Sequence, residues 1–304
     1  MNVVFMGTPE FAVPTLQALY DNGYNVSAVF SQPDKPKGRG YKLTPPPVKQ
    51  LAVEKGTQVF QPQSLKKGED AEICMKALKE IAPDFIIVVA YGKILPKEVL
   101  DLPKYACINV HASLLPKYRG AGPIQWSVLN GEEKTGVTTM LMAEGIDTGD
   151  MLLKSETKIG ESETASELHD RLSVMGAELL IKTLKEFDSI TPEKQDDEKS
   201  THAPMLTKDL CPIDFSKSAK EVNSQICGLS NWPCATTILC EKRIKVFKSQ
   251  VVENEKSYEN YGEIIDKNEL IISCKKGSIK ILELQADGSK RMKTADYLRG
   301  NPIK

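Results

Sequence analysis

The chain has 304 residues, 40 Lys and Arg against 41 Asp and Glu, and 40% hydrophobic residues. That length can bury a sizeable core and suggests two domains, while the near balance of charge names no polyanionic partner by itself. No apolar run reaches the roughly 18 residues of a membrane span, and the apolar start at Met1 lacks a basic leader, so a cytoplasmic protein is expected. Seven cysteines at 74, 107, 211, 227, 234, 240 and 274 include no CxxC pair. This argues against a disulfide framework and a zinc ribbon, and no metal is expected.

The apolar pattern predicts a strand over 2–6, a helix over 10–22 with Phe11, Leu16 and Leu19 toward one face, and a strand over 25–30. A helix over 48–55, a short strand over 58–60, a helix over 69–81 and a continuous apolar strand over 84–90 follow. Alternation of strands and helices implies an open, mostly parallel α/β sheet, whose ligands lie beyond the carboxyl ends of the strands. Segments 7–9, 91–96 and 109–111 therefore border one crevice. Gly7-Thr8-Pro9-Glu10-Phe11-Ala12 lacks the second glycine of GxGxxG, which disfavours nicotinamide binding and leaves Gly7 as a turn residue.

Between 34 and 42 lies a run of Lys, Pro, Gly and Arg that reads as a long solvent-facing loop. The segment 107–110 is apolar and leads into Asn109-Val110-His111. Side chains two apart on a strand share a face, so Asn109 and His111 project together at a strand end. An isolated Asn-x-His is a weak pattern, but residues 113–123 carry too much Gly, Pro and positive charge for a core element and read as a loop at that end. A strand over 138–142 then runs into a glycine-bearing loop with Asp147, a carboxylate placed to orient an imidazole. An amide, an imidazole and a carboxylate suit acyl transfer to an amine. Cys107 reads as a packing residue, and His169 as an ordinary residue of the amphipathic helix predicted over 164–186.

Residues 188–202 are polar and aperiodic and read as a connector, with a boundary near Ala203. Beyond 205 come a possible helix at 218–229 and five short strands at 235–240, 243–251, 261–265, 270–273 and 279–285, a pattern that fits a small barrel. Residues 205–304 hold 17 Lys and Arg against 13 Asp and Glu, a modest excess open to phosphate binding or to ordinary surface lysines.

Asn109-Val110-His111-Ala112-Ser113-Leu114-Leu115-Pro116-Lys117-Tyr118-Arg119-Gly120, followed by Gly145-Ile146-Asp147-Thr148-Gly149-Asp150, resembles the core of the formyltransferases that use 10-formyltetrahydrofolate. The start at 4–11 and the loop at 32–40 are similar to the members of that family that act on methionyl initiator tRNA. The resemblance implies a Rossmann-like catalytic domain over 1–187, a linker over 188–204 and an OB-like β-barrel over 205–304 that contacts tRNA. It implies Asn109, His111 and Asp147 as catalytic residues, with His111 moving or bearing a proton, Asn109 donating to the oxyanion and Asp147 holding the imidazole. The folate cosubstrate is expected along Lys93, Ile94, Leu95, Ser113, Leu114, Leu115, Pro116, Ala143, Glu144, Gly145 and Ile146. Lys35, Lys37, Arg39 and Lys42 are expected to meet the acceptor end of initiator tRNA, and the protein is expected to be a monomer. A glycinamide ribonucleotide formyltransferase, a sugar-nucleotide formyltransferase and a noncatalytic folate- or RNA-binding protein stand as alternatives. The first needs neither the basic loop nor a second domain. The second differs in its acceptor, and the third has no use for all three polar positions.

Overall fold

The computed structural model describes residues 1–37 and 41–303. In chain order its main elements begin with β1 (Asn2–Gly7), α1 (Val13–Asp21), β2 (Asn25–Phe30), β3 (Lys35–Lys37), β4 (Lys42–Thr44), α2 (Pro47–Glu54), β5 (Val59–Phe60) and α3 (Glu69–Ile81). There follow β6 (Phe85–Val89), α4 (Lys97–Leu100), β7 (Ala106–His111), β8 (Arg119–Gly120), α5 (Pro123–Leu129), β9 (Lys134–Leu141), β10 (Met151–Lys158) and α6 (Ala165–Glu186). The chain divides into two compact units, one of residues 1–119, 136–156 and 170–201 and the other of 120–135, 157–169 and 202–304.

The first unit is built on a sheet of order β10-β9-β7-β6-β1-β2-β5. β1 pairs in parallel with β2 and β6, and β6 with β7. β9 departs from this, running antiparallel to β7 with His111 opposite Thr138. Strand–helix alternation dictates layering but not the direction of a strand reached through a short helix such as α5. Every residue of Phe85–Val89 is buried, as a central strand covered on both faces requires. On one face Met6, Phe30, Ile86, Val88 and Cys107 pack with Cys74 and Leu78 of α3 and with Leu95 and Val99. The i, i+4 spacing of Cys74 and Leu78 supplies that contact. Gly7 is the last residue of β1, where an added Cβ would stand 2.6 Å from the Phe5 ring and 3.0 Å from the Val89 carbonyl. Close packing of β1, and not a turn, is what demands glycine there.

The second unit contains β11 (His202–Ala203), α7 (Ala219–Gly228), β12 (Ala235–Leu239), β13 (Lys242–Ser257), β14 (Ile264–Asp266), β15 (Ile271–Ser273), β16 (Lys276–Ala286), β17 (Met292–Lys293) and α8 (Thr294–Gly300). Its pairings among the described residues form an antiparallel path, β12-β13-β16-β15-β14, with β17 added to β16. β13 is longer than the strand expected at 243–251, and register shifts along its pairing with β16 bend it. Val222, Ile226, Ile244, Val246, Ile279, Ile281 and Leu284 are among the residues of its core. Ser218 caps α7 and Glu221 answers it in a reciprocal capping box, which stabilises such a helix start by about 1 kcal/mol.

Candidate active site

Cys107, Asn109 and His111 each stand two positions apart along β7, so all three leave it on one face. Cys107 is spent on the core, where burial pushes its thiol up to about 12. A thiol in that range stays protonated at neutral pH and cannot act as a nucleophile. Asn109 lies opposite Val88 on one side and Met140 on the other, and only 8% of its surface is exposed. His111 is similarly buried, at 6%. Pairing on both edges fixes Asn109, and pairing with Thr138 fixes His111, at the end of this strand.

His111 Nε2 lies 2.9 Å from the carbonyl oxygen of Tyr118. A carbonyl only accepts, so Nε2 carries the proton in this contact. The opposite nitrogen, Nδ1, faces the carboxylate of Asp147 at 3.5 Å. The ring is thus held at both nitrogens, by a carbonyl on one side and a carboxylate on the other. Asp147 adopts a positive φ of 52°, a conformation that Asp tolerates better than most residues. The structure thus brings Asn109, His111 and Asp147 into one region of the first unit. It adds the Tyr118 carbonyl, which no side-chain pattern reveals.

The loop after β7 is closed by its own polar groups. Ser113 is fully buried, and its hydroxyl donates to the Lys117 carbonyl at 2.6 Å. Thr138 Oγ1 donates to the Ser113 carbonyl at 2.7 Å and accepts from the Leu115 N–H at 3.2 Å. Leu115 packs with Met140 and Met151. Ser113 and Leu115 therefore hold the loop from within, while Leu114 and Pro116 are half-buried.

Of the remaining residues expected along the folate, Leu95 is buried in the sheet core whereas Ile94 and Ile146 are each 65% exposed. Ala143, Glu144 and Gly145 are exposed too. Lys93 donates to the Gln63 carbonyl at 2.6 Å. Met142 packs on the cluster that contains Tyr91 and Leu95. The Lys97 ammonium is raised above its usual range chiefly by Asp101, with a smaller contribution from Glu144.

The basic segment is a hairpin at its base, not an irregular loop. Lys35 pairs with Thr44 and Lys37 with Lys42, while Tyr41 and Leu43 are 83% and 64% exposed. Lys35 and Lys42 are exposed; Arg39 and the Lys37 side chain lie outside the described residues. Lys49 of α2 donates to both Asp34 carboxylate oxygens at 2.8 Å and to Gln61 Oε1 at 2.7 Å. Gln61 Nε2 donates to Asp34 Oδ1 at 2.8 Å, and the bonds to Asp34, first from Lys49 and then from Gln61, hold its carboxyl below the usual carboxylate range. Gln61 also donates to the Gln32 carbonyl, and Gln32 in turn to the carbonyls of Tyr91 and Gly92. The root of the hairpin is thereby wired to the segment that precedes Lys93.

Residues 1–184 match the family model described as formyl transferase, and residues 205–302 match the one described as formyl transferase, C-terminal domain. The chain belongs to the formyl transferase family. It is 52% identical over 307 residues to a methionyl-tRNA formyltransferase of Clostridium novyi, covering 100% of this chain and 98% of that protein. A methionyl-tRNA formyltransferase of Caldanaerobacter subterraneus is 49% identical over 305 residues, with the same coverage of 100% and 98%. Among solved structures, the N-formyltransferase from Helicobacter canadensis in complex with folinic acid and dTDP-3-aminofucose superposes with a TM-score of 0.70. It covers 93% of this chain and 98% of its own at 21% identity, a likeness of fold. Among the described residues no helix is long and apolar enough to cross a membrane, and no group of three or more His, Cys, Asp or Glu side chains is placed to hold a metal ion.

Proposed function

We propose that this chain transfers the formyl group of 10-formyltetrahydrofolate to the free amino group of methionine esterified to initiator tRNA, the step that prepares that tRNA for translation initiation. The observation that carries the reading is the 52% identity, spread over the whole chain, with a protein of that activity. The first unit carries the chemistry, and residues 205–304 contact tRNA. The protein works as a cytoplasmic monomer.

The methionyl nitrogen attacks the formyl carbon, a C–N bond forms, and the carbonyl oxygen takes up negative charge. Asn109 donates a hydrogen bond to that oxygen. His111 relays the proton lost by the attacking amine, and Asp147 at 3.5 Å stabilises the charged imidazole. The carbonyl then re-forms as the bond from the formyl carbon to the folate nitrogen breaks, and that nitrogen takes the relayed proton, so tetrahydrofolate leaves as a neutral amine with no covalent enzyme intermediate. The folate lies against Lys93, Ile94 and Leu95, the loop Ser113 to Pro116, and Ala143 to Ile146, whose backbone groups match the donor and acceptor edge of a pterin. Lys35, Lys37, Arg39 and Lys42 contact the phosphates at the acceptor end.

Transfer of labelled formyl to purified methionyl initiator tRNA, with elongator tRNA, glycinamide ribonucleotide and amino-sugar nucleotides as competing acceptors, tests the assignment. Label is expected on initiator tRNA alone. Preferential labelling of an amino sugar or of glycinamide ribonucleotide contradicts it.

A further inference from the structure

Residues 191–199 are exposed except Gln195, which is half-buried. Its amide nitrogen donates to the carbonyl of Asp147 at 2.8 Å and to that of Gly149 at 2.7 Å. Its amide oxygen accepts from Arg119 Nε at 2.9 Å. The orientation of this amide is dictated by its neighbours: two carbonyls can only accept, and a guanidinium can only donate. Both amide hydrogens and the oxygen are therefore used, and two of the three bonds end on the backbone that carries Asp147.

Arg119 is itself held. Its backbone N–H donates to the Thr201 carbonyl at 2.9 Å, and its Nη2 donates to Asp197 at 2.8 Å. The Thr201 hydroxyl accepts from the N–H of Tyr118, the residue whose carbonyl meets His111. On the other side of Gln195, Glu193 and Met151 exchange both backbone hydrogen bonds at 2.8 Å. The loop in between is cramped: a Cβ on Gly149 would stand 1.7 Å from the Leu141 carbonyl. The segment 193–201 thus grips both partners of the His111 ring, Asp147 through Gln195 and Tyr118 through Thr201.

We propose that Gln195 is a positioning residue for Asp147, fixed by Arg119, and that residues 193–201 form part of the catalytic apparatus instead of a passive connector. The inference rests on the reading of Asp147 as catalytic. Asp147 holds a left-handed backbone conformation, with φ at 52°, that L residues rarely adopt, and a hydrogen bond to its own carbonyl selects that conformation. Without it the carboxylate swings away from Nδ1, and misplacement by about 1 Å is enough to cost up to about 10²-fold in rate.

The test compares wild type, Gln195→Ala, Gln195→Glu, Asp147→Asn and Gln195→Ala/Asp147→Asn, each checked for folded content by circular dichroism. Gln195→Glu keeps the size and the acceptor for Arg119 but turns an acceptor toward two carbonyls, so it answers the question if the alanine variant unfolds. Both Gln195 variants are expected to lose roughly 10- to 100-fold in kcat, with KM for donor and acceptor within about threefold of wild type. The double variant is expected to be little worse than Asp147→Asn alone, because a displaced carboxylate has little left to lose. Wild-type kcat in a folded Gln195 variant, or losses that multiply in the double variant, overturns the proposal. An independent readout needs no turnover: the chain has 3 histidines, so the ring ¹⁵N signals of His111 are assignable by its substitution. Gln195→Ala is expected to move them toward those of Asp147→Asn; unchanged signals contradict the proposal. Full turnover by Asp147→Asn is instead the failure of the catalytic reading, seen before any Gln195 variant is scored.

Discussion

Two polar regions of the first unit are built on opposite plans. Around His111 the functional groups are buried or, for Asp147, half-buried, and the backbone on either side is tied down: Asn109 by strand pairing, Tyr118 by Thr201, Asp147 by Gln195. In the hairpin of β3 and β4 the described lysine side chains, Lys35 and Lys42, are exposed, and only the root is tied, through Asp34, Lys49 and Gln61. A reacting centre gains from fixed dipoles because they need not reorganise as charge develops. A surface that meets a phosphate chain gains from reach, and its contacts weaken with salt. The difference predicts that damage to the first region lowers turnover at every salt concentration, whereas damage to the second lowers acceptor use in a salt-dependent way.

The largest effects belong to the buried set. Asn109→Ala, His111→Ala and Asp147→Ala are each expected to lower turnover by about 10²-fold or more while leaving the fold intact. Asp147→Asn sharpens this, since an amide keeps a hydrogen bond but supplies no charge to a protonated ring. A large loss in kcat with unchanged folate binding is expected, measured by steady-state kinetics and donor titration.

Arg39→Ala comes next, with an expected loss of about tenfold in use of methionyl-tRNA and donor affinity near wild type. Removal of residues after Ala203 is expected to weaken tRNA affinity in the same salt-dependent way, once folded content is verified. An unchanged affinity across a salt titration of the folded truncation removes the second unit from tRNA recognition.

Lys49→Met attacks the root of the hairpin and is expected to cost a few-fold in tRNA affinity with no change in donor KM. The Asp34 carboxyl is held below its usual range by Lys49 and Gln61. Its contribution is therefore present above the ordinary carboxylate range and lost as pH falls through the depressed value. The difference between Lys49→Met and wild type is expected to be constant near neutrality and to close only in acid, which binding titrations at several pH values check.

The smallest effect is expected at Cys107. Substitution by Ala leaves turnover within a few-fold, and a maleimide at pH 8 labels exposed Cys240 while Cys107 stays protected.

How much of this was legible in the sequence follows from the kind of signal each part emits. The strands over 2–6, 25–30 and 84–90 announce themselves by apolar runs, and Asn109 and His111 by their spacing on one, because burial and the two-residue repeat write directly into residue order. Asp147 was legible as a carboxylate in a glycine-bearing loop, but its distance from His111 was not. Gln195 was invisible: a side chain that binds backbone carbonyls across a long sequence separation leaves no period, and its polar, aperiodic surroundings read as a connector. Helix α5 was missed because Gly120, Gly122 and Pro123 read as loop; Pro in the first turn is a start signal that could have found it. The hairpin of β3 and β4 escaped because its strands are three residues long and rich in Lys and Pro. Lys49 falls in the helix expected over 48–55, where a lysine ordinarily faces solvent.

The most direct measurement of the central claim is a single-turnover experiment with donor and methionyl initiator tRNA both bound, comparing wild type with His111→Ala by quenched flow. If the buried cluster performs the transfer, wild type shows a rapid formylation phase that His111→Ala slows by about 10²-fold or more with both substrates still bound. A His111→Ala phase as fast as wild type contradicts the account.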